Sequence, residues 1–113
     1  RIATKSISKG TDFEKFLVHN GVDHFSVEGC VDTLCQLPNM SVGLSDFKSS
    51  IPVLWWRGVG HTHTAYAMES LLDMVAQRTG KDPIELRLDL LNSNDLKQQR
   101  MAHVLKISRR RSG

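Results

Sequence analysis

The stretch Trp55-Trp56-Arg57-Gly58-Val59-Gly60-His61-Thr62-His63 gathers the residue types in this chain best suited to holding a ligand. It reads as a strand end, a turn with two glycines and a helix N-terminus. Glycine lets the backbone approach a neighbour closely. The first amides of a helix lack carbonyl partners and favour an anion or an oxo group. The stretch therefore predicts a loop shaped around an anionic ligand or cofactor. A purely structural strand–glycine–helix junction has the same pattern, and spacing alone does not separate the two. His61 and His63 form a His-x-His pair of the kind that ligates zinc or copper, but two ligands are not a site and no third is placed beside them. His61 is expected to line the pocket, and His63 to cap or pack at the helix start. Trp55 and Trp56 alternate faces of the expected strand, one toward a core and the other toward a cofactor or a neighbouring domain. Asp73, Glu85 and Asp89 read as surface carboxylates. With no Ser-His-Asp, Walker or Rossmann signature, no catalytic residue and no metal ligand set is assigned.

The elements that must position this loop follow from periodicity and breakers. Residues 1–8 alternate as a strand, Lys9-Gly10-Thr11-Asp12 turns, and Phe13 to Val18 forms one or two helical turns. Asn20-Gly21 marks a tight turn. Phe25 to Asp32 is irregular, and 41–47 reads as a strand. Ile51 to Trp56, rich in β-branched and aromatic residues, predicts a buried strand, with Pro52 at its first position or at an edge. From Thr62 or His63 the period changes. Ala65, Met68, Leu71, Leu72, Val75 and Ala76 share a helical face, with Met74 off it, and Gly80 caps the C-terminus. Asp82-Pro83-Ile84-Glu85 starts the next helix: Asp82 caps, Pro83 fills the first turn, Glu85 lies three residues on. A third helix covers 95–107. Short strands in the N-terminal half, then two or three helices, define an α+β class. The chain divides into a strand-rich part (1–57), a loop and helices (58–107) and a basic tail (108–113).

With 113 residues, the chain is one small domain's worth of sequence. Its 40% hydrophobic and 24% charged residues exclude a disordered chain, and no apolar run is long enough to span a bilayer. The net charge of +3 equals the three arginines 109–111 of the tail, leaving a near-neutral body. No aromatics interleave with them for base stacking, so nucleic acid is not an expected partner. Cys30 and Cys35 match neither a redox CxxC nor a zinc knuckle and are expected as free thiols. The chain opens directly in a strand-like stretch without initiator Met or signal peptide, so its natural start is expected upstream.

The loop and the helix after it, through Thr64-Ala65-Tyr66-Ala67-Met68-Glu69-Ser70, resemble the cofactor loop of the xanthine dehydrogenase/aldehyde oxidase family, in the molybdopterin-binding large subunit. Eukaryotic-type members carry an aromatic-Arg-Gly-Phe-Gly-Gly-Pro-Gln loop followed by a helix with a Glu, which falls on Glu69 without a gap. The bacterial isoquinoline oxidoreductase-like and aldehyde dehydrogenase-like branch is closer, with a Trp-Arg-Ser-Val-Gly-His loop from which this chain departs at Gly58. Gly21-Val22-Asp23-His24, Val27-Glu28-Gly29, Leu37-Pro38-Asn39 and Gly80-Lys81-Asp82-Pro83-Ile84-Glu85-Leu86-Arg87 match flanking segments in order. Leu34 and Cys35 depart from a Pro and a Tyr of that branch, and 107–113 does not resemble its continuation.

The resemblance implies an internal fragment of a larger molybdenum-cofactor-binding domain. It implies that Trp56, Arg57, Gly58, Gly60 and His61 face the molybdenum–molybdopterin cofactor, that Val59 lines the substrate pocket and that Glu69 orders the loop. In the purine-oxidising members a Phe stacks on the substrate at the position of Val59. Valine has no π face, so an aldehyde or an N-heterocycle is the expected substrate. In this family a metal-bound hydroxide attacks the electron-poor carbon and hydride passes to a sulfido ligand, so the cofactor carries the chemistry. The catalytic Glu lies much nearer the C-terminus of the full subunit, so the fragment is expected to be inactive alone. Expected partners are the rest of the large subunit, an iron–sulfur electron-transfer subunit and the small-molecule substrate, and the compartment stays open between bacterial cytoplasm and periplasm. Two rival readings remain: a truncated non-catalytic relic or protein-binding module, and a small His-x-His metal-binding protein.

Overall fold

Alternation, helical period and turn residues produce nine short elements, seen in a computed structural model that describes residues 2–92 and 94–111. Strand β1 (Ile2–Thr4) pairs in parallel with β4 (Leu44–Asp46), with Ile2 opposite Leu44 and Thr4 opposite Asp46. Helix α1 (Glu14–Leu17) leads into a hairpin of β2 (Val18–His19) and β3 (Val22–Asp23). Asn20 and Gly21 turn it with φ of 50° and 78°. Two successive positive φ values match the hairpin twist, which explains the Asn-Gly pair. A 3₁₀ turn (His24–Ser26) follows where the sequence was irregular. The helices are α2 (His61–Thr79), α3 (Pro83–Asp89) and α4 (Leu96–Arg111).

The chain forms two compact units, 1–32 with 41–68 and 33–40 with 69–113. In the first, Asp23 is a fully buried hub. Its carboxylate accepts from the Ser8 amide (2.9 Å), the Ser8 hydroxyl (3.1 Å), the Phe25 amide (3.1 Å) and the Ser6 hydroxyl. Burial pushes this carboxyl up, and the four hydrogen bonds overcome it and hold the group below its ordinary value. In the second unit, the Asp82 side chain accepts from the Ile84 and Glu85 amides, both at 2.9 Å, and Pro83 occupies the first turn of α3, as the capping pattern requires. Arg87, 7% exposed, reaches back from α3. Its guanidinium donates to Glu69 (Nε–Oε2 2.8 Å), lies 2.9 Å from Asp73 Oδ1 and donates to the Pro83 carbonyl. Cys30 and Cys35 are free and buried. Burial first, and a neighbouring carboxylate second, pushes both thiols up, which leaves them as inert packing groups.

Three expectations need correction. Ile51 to Trp56 forms no strand and joins no ladder, and it is exposed rather than buried: Leu54 is 81% and Trp56 78% exposed. Trp55 of this segment meets the rings of Phe13 and Phe25, while Ile51, Val53, Leu54 and Trp56 stay exposed. The apolar face of α2 is inward at Met68, Leu72 and Ala76, with Thr64 extending the line. Ala65, Leu71 and Val75 stay exposed, so the covered stripe is narrower than the apolar one. The expected tail is helical: α4 runs through Arg109, Arg110 and Arg111, where cations complement the negative end of the helix dipole. Arg1 of the first expected strand, Ser93 between the second and third expected helices, and Ser112 and Gly113 of the tail lie outside the described residues.

Candidate cofactor-facing site

The chain from Trp56 to Gly60 is a tight turn fastened to the start of α2. The Val59 amide donates to the Trp56 carbonyl (2.9 Å), and the Thr62 hydroxyl donates to the Arg57 carbonyl (2.7 Å). Gly58 has φ of 80° and Val59 φ of 43°. A glycine is required at the first. A β-branched residue in the left-handed region is strained, and such strain concentrates at ligand-binding turns. Trp56 and Arg57 are exposed.

Gly60 answers to packing. A Cβ there would lie 2.4 Å from the Phe25 carbonyl oxygen, so glycine lets the turn close onto the 25–28 segment. Gly29 is its counterpart: its φ is 84°, and a Cβ would lie 2.2 Å from Thr64 Oγ1. Thr64, 1% exposed, shares its hydroxyl proton between the Glu28 and Gly60 carbonyls at 2.7 and 2.8 Å. The Glu28 carboxylate accepts from the Gly60 amide (3.1 Å) and lies 2.9 Å from His61 Nδ1. A carboxylate at the positive end of a long helix is favourably placed. Val27-Glu28-Gly29 is thus the seat of the turn. Sequence reasoning quoted these residues without a role, because their partners lie more than thirty positions away.

The histidines exchange their expected places. His61 turns to Glu28, with Nε2 3.7 Å from Asp32 Oδ2. His63 lines a shallow cleft with Lys5, Phe25, Trp56, Val59 and Gly60. The cleft is about 190 Å³, below the range of pockets that enclose a small molecule. Trp55 packs edge-on to Phe13 and Phe25 with ring centroids 6.3 and 6.0 Å away. Lys5, at the cleft, donates from Nζ to the Ser49 and Ile51 carbonyls, both at 2.7 Å. The carboxylate of Glu69, expected to order the loop, accepts from Arg87 instead, so it fastens α2 to α3. Among the described residues no group of three or more His, Cys, Asp or Glu is arranged to hold a metal ion.

The α+β chain thus presents a strained glycine turn, an exposed Trp-Arg pair and a helix start held by Glu28. The sequence pattern of the molybdopterin cofactor-binding domain matches residues 22–91, and the chain belongs to that family. The turn lies inside the match. Over 47 residues the chain is 38% identical to the isoquinoline 1-oxidoreductase subunit beta of Brevundimonas diminuta, covering 42% of this chain and 6% of that protein. The chain therefore spans a small part of that relative's length. No solved structure matches at a significant level. Among the described residues no helix is long and apolar enough to cross a membrane.

Proposed function

We propose that this chain is a cofactor-facing segment of the large subunit of a molybdenum hydroxylase that oxidises an aldehyde or an N-heterocycle. The observation that carries the reading is the family match over 22–91, with the strained turn 56–60 within it. The exposed residues fit the cofactor's chemistry: a flat, exposed Trp56 and a cationic Arg57 suit a planar group bearing an anion. When bound, the molybdenum cofactor supplies the oxidising centre. The residues of this chain then bind and orient. Trp56 and Arg57 meet the pterin side, and Gly58 lets the main chain turn beneath it. Glu28 and His61 hold the helix start in place, and Glu69 keeps α2 fixed through Arg87. Val59 faces the substrate side and offers bulk without a π face, which favours small aldehydes or N-heterocycles held by other residues over purines. The reacting proton is handled by a base elsewhere in the subunit, and an iron–sulfur partner takes the electrons onward.

Steady-state turnover by the intact subunit with its electron-transfer partner tests this. Aldehydes or an isoquinoline-type heterocycle should be oxidised in preference to hypoxanthine. A higher kcat/KM for the purine would contradict the substrate assignment.

A further inference from the structure

Helix α4 carries six cations, Lys97, Arg100, Lys106, Arg109, Arg110 and Arg111, and no acidic residue. One of them, Arg109, pairs with Glu85 at 3.0 Å. Among the described residues the other five have no ion-pair partner. Their arrangement is not that of a merely solvated helix. Leu96, Arg100, Val104, Ile107 and Arg111 follow the spacing of a single helical face, and all five are exposed. Lys97 flanks this face on one side and Arg110 on the other. Leu96 and Val104 are each 60% exposed, next to a shallow hollow that Arg100 and His103 also line.

We infer that this face of α4 docks on an anionic lipid surface, with the helix lying in the plane of the headgroups. The aliphatic residues enter the boundary between headgroups and acyl chains. Arginine and lysine reach sideways to lipid phosphates with their stems in apolar contact. Charge complementarity supports an anionic partner, since each cation near such a surface adds attraction. The exposed aliphatics on the same stripe favour lipid over nucleic acid, to whose phosphates they would contribute nothing, and α4 has no aromatic side chain to stack on bases. Cations within the aliphatic face (Arg100, Arg111) and on both sides of it (Lys97, Arg110) spread positive charge over its whole width, which suits a planar anionic surface better than the edge of an acidic protein.

The test is co-sedimentation of the intact protein that carries these residues with vesicles, a readout independent of molybdenum. Equimolar phosphatidylcholine and phosphatidylglycerol vesicles should carry the chain down, and pure phosphatidylcholine vesicles should not. Raising the salt from about 0.1 M to about 1 M should release it. The double variant Arg100→Glu with Arg111→Glu should bind anionic vesicles at least about tenfold more weakly. The neutral variant Leu96→Asn with Val104→Asn should also lose vesicle binding while keeping its retention on heparin; circular dichroism identifies any variant that fails to fold, and the wild-type salt and lipid series decides without it. No binding to anionic vesicles, or equal binding to neutral ones, overturns the inference. So does undiminished vesicle binding by the asparagine variant, which would make the helix a general polyanion patch, or tighter binding of duplex DNA than of anionic vesicles.

Discussion

Asp23 shows how one side chain can organise this small chain. It has no exposed surface, and four donors converge on its carboxylate. Because its folded value is depressed, the ionised form stabilises the fold. That stabilisation is present above the ordinary carboxylate range and is lost as pH falls through the lower folded value. Asp23→Asn should cost about 2 kcal/mol at neutral pH, since charge-assisted hydrogen bonds are replaced by weaker ones and one donor faces an amide NH₂. The gap between wild type and variant, measured by urea unfolding, should shrink in acid. A gap that does not change with pH would show that shape, not charge, is what the site requires. At this scale the sequence was partly legible. The glycine turn at 56–60 and the Asp82 cap follow from local rules acting over three or four residues. The hub at Asp23, the seat at Glu28 and the exchange of roles between His61 and His63 rest on partners 15 to 36 positions distant, which no local pattern encodes.

Among the elements, α2 matters most, because it begins at the turn and ends at the Gly80 cap. Its second half is fastened to α3 by Arg87, whose planar fork meets Glu69, Asp73 and the Pro83 carbonyl together. A lysine ammonium cannot reach all three. Arg87→Lys should therefore lower stability by about 1–3 kcal/mol, seen as an earlier loss of helical circular dichroism on heating. An unchanged midpoint would mean that these half-exposed carboxylates add little beyond solvation. Helices were the legible elements: α2 and α3 lie within a residue or two of their expected starts, because a 3.6 period and capping residues are strong signals. The strands were harder. β1 and β4 are three residues each, and Ile51 to Trp56 has every compositional mark of a strand yet joins no ladder. Composition states that a segment needs burial, but only a neighbour can provide it, and Ile51, Val53, Leu54 and Trp56 stay exposed.

At the scale of the whole molecule, Leu54 and Trp56 of the first unit stand largely exposed. On the function proposed above, the 56–60 turn would be one wall of the cofactor site, covered within a larger subunit. The most direct test is the molybdenum content of the intact subunit carrying Gly58→Val, beside a matched Gly80→Val. Both glycines have left-handed φ values, 80° and 68°, so both variants impose a similar backbone cost of about 1–2 kcal/mol, and Gly80 has open space around it. If the turn holds the cofactor, molybdenum per subunit falls in Gly58→Val and stays at the wild-type level in Gly80→Val. Full loading of Gly58→Val, or equal losses in both, would contradict the account.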